Sequence, residues 1–245
     1  MNLFKKIFSV TPNAFGCLAV ACLVALNGIS YYFTKLITGS GHHFDFTTAV
    51  DQMIPFVPVW ILAYIFIAYF QWGVGYYLIA CQDKKTMIFI VGAEIMAKIP
   101  SLIIFLLIPT TMARPDVTGT DVFSFLVRFI YLSDTPDNLF PSYHVLESYM
   151  LLRILPMMKN APEWYKKMTP AATLLVILST VFVKQHVIVD ILGGIAVSEF
   201  GILTMTILYK ALSDNTERAL KAHVTNLINK DRHRHGSSSY DTDCS

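Results

Sequence analysis

Charge is what this sequence has least of. Only 15% of its 245 residues are charged, against 54% hydrophobic, a balance too apolar for an ordinary water-soluble domain. The net charge of +2 leaves no basic footprint for nucleic acid. Cysteine is also scarce. Of the four present, Cys17, Cys22 and Cys81 lie in or beside apolar runs and Cys244 lies in the tail. None forms a C-x-x-C pair or a metal-like cluster, which argues against a disulfide framework and against a zinc site. No unit of about 20–50 residues recurs, so a repeat architecture is excluded.

Long hydrophobic runs are abundant. A membrane span needs about 20 mostly apolar residues, and six runs read as spans: Ala14–Phe33, Ile54–Tyr77, Met87–Ile108, Tyr143–Met158, Thr169–Val183 and His186–Tyr209. The fourth and fifth are short and suit helices buried among others rather than ringed by lipid. The expected fold class is all-α, a polytopic membrane protein built as a six-transmembrane-helix bundle over residues 1–230. A polar, disordered cytoplasmic tail over 231–245 follows. Lys5 and Lys6 ahead of the first run resemble a signal peptide, but no small-residue cleavage site follows, so the run is read as a retained span.

Positive residues set the expected orientation. Lys5 and Lys6, Lys84 and Lys85, Lys159, Lys166 and Lys167, and Lys210, Arg218 and Lys221 fall in the two termini and the even-numbered connections. The odd-numbered connections hold Lys35, Arg114, Arg128 and Lys184. The positive-inside rule then expects a multi-pass cell-membrane protein with both termini cytoplasmic. Arg114 follows the third span, His144 opens the fourth, and His186 and Asp190 open the sixth. All four are expected at the non-cytoplasmic end.

Three stretches carry the chemistry: TTMARPD at 110–116, PSYH at 141–144 and STVFVKQHVIVD at 179–190. Together they suit a phosphate ester. Pro141 and Ser142 read as a helix start with Ser142 as N-cap, and a helix N-terminus offers free N–H groups to an anion. Arg114 can clamp phosphate oxygens in a bidentate way. His186 and Asp190 are four apart, hence on one helical face. The carboxylate can hold one ring nitrogen and aim the other at phosphorus. His144 is left as general acid for the leaving oxygen.

The set resembles the type-2 phosphatidic acid phosphatase superfamily, whose pattern is K-x6-R-P, P-S-G-H and S-R-x5-H-x3-D. The resemblance runs from about Pro109 to Gly194. DQMIPFVPVW at 51–60 and KQHVIVDILGG at 184–194 are similar to the inositol phosphorylceramide synthase-like branch. The resemblance implies a six-helix bundle with a metal-free site at one membrane face and no cofactor. It makes His186 the nucleophile that forms a phosphohistidine, Asp190 its orienter and His144 the acid and base. Arg114, Ser142, Ser179 and the amides of Tyr143 and His144 are implied to bind phosphate. The sequence departs from the pattern at three places: Leu107 stands for the lysine, Thr180 for the arginine and Tyr143 for the glycine. Lys184, two residues before His186, is expected at the mouth of the site, where it supplies one charge without the arginine fork.

Other polar residues have plainer readings. Glu94 and Lys98 are four apart in the third span and are expected to pair. Glu147 either tunes His144, meets a substrate hydroxyl or faces water. His42, His43 and Asp45 read as a solvated loop. Asp134, Asp137 and Asn138 read as turns, and FQWGVGYY at 70–77 as an interfacial aromatic belt. The expected activity is hydrolysis of a phosphate monoester or pyrophosphate on a membrane lipid, with the lipid phosphate and the bilayer as partners. The alternatives are transfer of a phospho-headgroup to a lipid alcohol, which needs a second lipid as acceptor, and a non-catalytic lipid-binding relative, for which Leu107 and Thr180 speak.

Overall fold

A computed structural model of the chain describes residues 11–39 and 41–236, with side chains followed as far as 214. Lys5, Lys6, Cys244 and the last nine tail residues lie outside the described residues. The chain divides into two compact units, Met1–Thr204 and Met205–Ser245. The second contains the C-terminal part of one long helix, which carries residues 231–236 of the expected tail.

The first unit is mostly helical. Helix α1 spans Ala14–Thr38 and is capped by Asn13, whose side chain accepts from the Gly16 amide. After a two-residue strand β1 (Phe44–Asp45) comes the short helix α2 (Ala49–Met53), closed by a capping box between Thr48 and Asp51. Pro55 and Pro58 delay the next span. It enters through a 3-10 turn at Pro58–Trp60, passes a π-helical turn at Ala63–Ile67 and continues as α3 (Ala68–Ala80). Helix α4 (Lys84–Leu107) starts on the Asp83 cap and absorbs Pro100. Strand β2 (Thr110–Thr111) pairs in parallel with β1.

The remaining elements depart more from expectation. Helix α5 (Val122–Ser133), capped by Asp121, is an apolar helix within the connection between the third and fourth expected spans. Helix α6 (Tyr143–Ile154) is shorter than the expected span and ends in a 3-10 turn at Leu155–Met157, because Pro156 cannot continue it. Helix α7 (Glu163–Phe182) begins six residues earlier than expected and tolerates Pro170. Helix α8 (Ile188–Gly236) begins two residues later than expected and runs far past Tyr209.

Among the described residues, four stretches are long and apolar enough to cross a membrane: Ala14–Thr38, Pro58–Ala80, Lys84–Leu107 and Ile188–Asp214. These match the first, second, third and sixth expected spans. Helices α6 and α7 are not among them. One is too short, and the other carries Glu163, Lys166 and Lys167 in its first turns. They lie at the centre of the packing instead. Leu146, Met150, Leu151 and Ile154 from α6 and Tyr165 from α7 are all at most 1% exposed, alongside Leu78, Ile79, Met87 and Ile90. Large apolar residues such as Leu18, Leu36, Leu107 and Leu192 point outwards at more than 60% exposure, an exterior suited to a bilayer.

Close approach of α8 to the start of α6 depends on two glycines. A Cβ on Gly194 would lie 2.7 Å from the Ser142 carbonyl oxygen and 2.9 Å from the Val145 Cβ. One on Gly193 would lie 2.4 Å from the Phe140 ring. Without these side chains the helices sit close enough for the Ser142 amide to donate to the Asp190 carbonyl at 3.1 Å.

Candidate functional site

His186 belongs to no helix. It sits in the 183–187 turn between α7 and α8, so its pairing with Asp190 comes from the turn and not from a shared helical face. The pairing itself is as expected: Nδ1 lies 3.1 Å from Asp190 Oδ2. That oxygen also accepts from the Val187 amide at 3.0 Å, which makes Asp190 both the orienter of the imidazole and a cap for α8.

The whole turn is gripped from several elements. The Thr180 carbonyl accepts from the Gln185 and His186 amides at 2.9 and 3.1 Å. The Tyr131 hydroxyl on α5 donates to the Val183 carbonyl at 2.7 Å. Asp51, in the first turn of α2, accepts from the Ile188 amide at 2.8 Å. Lys184 takes a left-handed backbone, with φ of 52°, and its ammonium donates to the Asp51 and Ile54 carbonyls at 2.8 and 2.6 Å. A histidine held this way is pre-oriented, which is what a nucleophile or phosphate ligand needs.

Arg114 reaches the same turn. Its Nη2 donates to Gln185 Oε1, its Nη1 donates to the Asp134 carbonyl at 2.5 Å, and its guanidinium lies over the Tyr131 ring at 4.6 Å. Its Nε is buried without a partner. Arg114, Lys184 and His186 line one cavity of about 540 Å³, together with Asp45 and Asp51. Asp45, expected in a solvated loop, thus borders the site. Partial burial depresses the pKa of Lys184 below that of an ordinary lysine, against the pull of the nearby Asp51 carboxylate. Burial tends to raise the pKa of Asp51. Bonds from the Thr48 hydroxyl and the Ile188 and Thr48 amides, with Lys184 nearby, outweigh it and hold Asp51 below the usual carboxylate value.

His144 stands on the far side of His186, with ring centroids 6.0 Å apart. It lies at the start of α6, where Ser142 is the N-cap and its Oγ accepts from the Val145 amide at 3.4 Å. Tyr64 stacks on the imidazole at 4.2 Å, and its hydroxyl is 3.4 Å from Nδ1. Trp72 flanks it at 5.3 Å. Both histidines and Tyr143 border a small gap of about 80 Å³. His144 Nε2 and Asp190 Oδ1 are buried and unpartnered, as is Gln185 Nε2. Four polar atoms left without partners around one pair of histidines, counting Arg114 Nε, mark a site that holds something polar.

Of the expected residues, His144, His186, Asp190, Arg114, Lys184, Ser142 and Tyr143 come together. Ser179 does not. It is fully buried and its hydroxyl turns back on the Val176 carbonyl of its own helix at 2.6 Å. Thr180 likewise bonds the Ile177 carbonyl. The residues that the motif reading missed are Asp51, Tyr64, Trp72 and Gln185. Only Asp51 had a local signal, the Thr48-x-x-Asp51 capping pattern. The expected turn at 134–138 is present and also structural: Asp134 accepts from the Tyr31 hydroxyl, and Asn138 has φ of 55°. His43 Nε2 approaches Asp137 at 3.7 Å.

Behind the histidines lies a buried charge cluster. Lys98 pairs with Glu94 at 2.9 Å, as expected, and with Glu147 at 3.0 Å. Glu147 is 3% exposed, so it does not face water. It accepts from Asn27 at 2.8 Å and from the Tyr76 hydroxyl. The FQWGVGYY stretch is therefore not only a belt. Gln71 is fully buried and donates to Thr173, and Trp72 donates to Ser148. Among the described residues no three His, Cys, Asp or Glu side chains converge as metal ligands, and Cys17, Cys22 and Cys81 form no disulfide.

The fold and the site thus define a mostly helical protein with four helices long and apolar enough for a membrane and a histidine-centred polar site at one end of its helices. No family model, curated protein or solved structure matches the chain.

Proposed function

We propose that the chain is an integral membrane lipid-phosphate phosphatase of the type-2 phosphatidic acid phosphatase kind. It hydrolyses a phosphate monoester or pyrophosphate on a membrane lipid. In this reading α6 and α7 complete a six-helix bundle as buried, short crossings. Both termini are cytoplasmic, and the site opens on the other face. One observation carries the reading: an imidazole fixed by Asp190 at 3.1 Å borders a cavity of about 540 Å³ that two cations, Arg114 and Lys184, also line.

His186 Nε2 attacks phosphorus while Asp190 holds Nδ1–H. The bond from phosphorus to the leaving oxygen breaks, and protonated His144 gives that oxygen its proton. Neutral His144 then takes a proton from water. The resulting hydroxide attacks phosphohistidine, releases phosphate and restores His186. Arg114, Lys184 and the amides at the α6 N-terminus offset the charge on the phosphate oxygens. Of the two cations the family pattern has and this chain lacks, Lys184 replaces one in part, because the Asp51 and Ile54 carbonyls occupy two of its protons.

The second reading is a phosphotransferase, in which a lipid alcohol replaces water in the last step. The observation in its favour is a separate cavity of about 510 Å³ that borders His144 and not His186.

The test is to quench purified protein during turnover of ³²P-labelled phosphatidic acid, phosphatidylglycerol phosphate or polyprenyl pyrophosphate. Acid-labile phosphate is expected on wild type and absent from His186→Ala. Wild-type turnover in that variant removes the nucleophile assignment. Free phosphate as product supports the phosphatase, and a new phospholipid supports the transferase.

A further inference from the structure

Asp190 orients His186, but among the described residues no carboxylate bonds His144. The hydrogen-bonding partner it has there is Tyr64, whose hydroxyl lies 3.4 Å from Nδ1, while Nε2 is buried without a partner. The Tyr64 ring also lies along the imidazole, with centroids 4.2 Å and planes 24° apart. Trp72 flanks the same imidazole at 5.3 Å. Both aromatic rings are themselves held. Tyr64 is 2% exposed and packs with Ile61, Val127 and Val183. The Trp72 indole N–H donates to the Ser148 hydroxyl at 2.9 Å, one turn along α6 from His144.

The backbone explains how two rings reach one imidazole. Tyr64 and Trp72 are eight residues apart. In a regular α-helix that spacing leaves them about 80° out of register around the axis. The π-helical turn at Ala63–Ile67 takes one residue more than an α-turn, which removes most of that offset. Turns of this kind are rare and concentrate at functional sites, and this one contains the residue that touches His144 Nδ1.

Which nitrogen of a neutral histidine carries the proton is set by the bond that the other makes. A tyrosine hydroxyl accepts as well as donates. By accepting from Nδ1–H it holds that proton and leaves the lone pair on Nε2. We propose that Tyr64 is the positioning residue of His144: its ring sets the imidazole plane, and its hydroxyl keeps a proton on Nδ1, so that Nε2 alone exchanges protons. For its use this role rests on the proposed phosphatase chemistry. There the imidazolium of His144 gives its Nε2 proton to the leaving oxygen as the P–O bond breaks, and keeps Nδ1–H against Tyr64. Nε2 then takes one proton from the water whose oxygen bonds phosphorus as the P–N bond to His186 breaks. The tautomer itself does not depend on that chemistry. At 3.4 Å the contact is long, as catalytic hydrogen bonds often are before substrate binds.

The test uses full-length protein in detergent. With ¹⁵N-histidine labelling, NMR reads the tautomer, and His144→Gln assigns the signal. Neutral His144 is expected as the Nδ1–H tautomer in wild type. Tyr64→Phe keeps the ring and its packing and removes the hydroxyl alone, and it is expected to show Nε2–H or a mixture. First-turnover release of the leaving group is then measured on two esters. Phosphatidic acid releases an alkoxide that needs a proton, whereas nitrophenyl phosphate releases a phenolate that does not. Tyr64→Phe should slow the first by roughly tenfold or more and the second by less than about threefold. Tyr64→Leu, which also removes the stacked ring, should widen the difference. An Nε2–H tautomer in wild type, the same tautomer in wild type and Tyr64→Phe, or equal slowing of both esters overturns the assignment. The expected change of tautomer in a wild-type protein that forms no phosphohistidine instead removes the phosphatase reading and leaves Tyr64 as the residue that holds the imidazole.

Discussion

At the scale of single residues, Gln185 and Lys184 bear most on how the site handles charge. Gln185 Oε1 accepts from Arg114 while its Nε2 is unpartnered, so it steers the guanidinium without neutralising it. Gln185→Glu puts a carboxylate in that position. KM for a lipid phosphate is expected to rise at least roughly tenfold, about 1.4 kcal/mol, with a smaller change for Gln185→Met. Steady-state kinetics on one lipid phosphate check both. Lys184 adds a pH dependence. Burial depresses its pKa against the attraction of Asp51, so its charge is complete at low pH and lost before the ordinary lysine value of 10.5. Phosphate affinity should therefore fall along an alkaline limb below that value, and Lys184→Arg should move the limb upward. For stability the sign is opposite. Between the depressed pKa and 10.5 the unfolded chain binds the extra proton, so this group favours folding more as pH rises through that interval. A pH profile of kcat/KM without an alkaline limb would separate Lys184 from the substrate.

At the scale of elements, the site depends on how closely α8 approaches α6 and on how α2 pins the 183–187 turn. Gly194→Ala forces a methyl within 2.7 Å of the Ser142 carbonyl. The helices must part by a few tenths of an ångström or more, which carries Asp190 and His186 away from His144. A loss of about tenfold or more in kcat is expected, because misplacement of this order costs heavily in a positioned reaction. Gly28→Ala, where the added Cβ meets nothing, serves as control for helix propensity. Asp51→Ala removes an acceptor from the Ile188 amide and from Thr48. By analogy with helix caps the cost is about 0.5–2 kcal/mol, seen as a lower melting temperature in detergent, with Asp51→Asn intermediate. Equal melting temperatures for all three proteins would show that the Lys184 and Thr180 contacts hold the turn unaided.

At the scale of the whole molecule, the proposed topology puts the 109–121 connection outside and the C-terminal end inside. In a background lacking Cys17, Cys22, Cys81 and Cys244, Thr118→Cys is expected to react with an impermeant maleimide on intact cells. Thr118 is exposed. Ser237→Cys is expected to react only after permeabilisation. The reverse pattern transfers the site and its substrate to the cytoplasmic leaflet.

What the sequence by itself determined was composition, period and spacing. Runs of some 20 apolar residues announced four helices, because burying or lipid-covering such a run leaves helix as the way to satisfy its backbone. The spacing of His186 and Asp190 announced their pair, and the Glu94–Lys98 interval announced another. Helices α6 and α7 were legible as short apolar stretches, and their shortness announced burial among other helices; the partners they bury against were not legible. Position in a bundle is set by which faces find partners, as Leu146 and Tyr165 do with Leu78 and Ile79. Only the tertiary structure decided that Ser179 turns its hydroxyl into its own helix, because a buried hydroxyl takes the nearest carbonyl it can reach. It alone gathered Asp51, Tyr64, Gln185 and the Glu147 cluster around the histidines. These contacts join residues far apart in the chain, from 49 positions for Lys98 and Glu147 to 137 for Asp51 and Ile188, and no local pattern encodes a partner at that distance. The glycines at 193 and 194 let α8 meet the start of α6, which brings Asp190 within reach of the Ser142 amide.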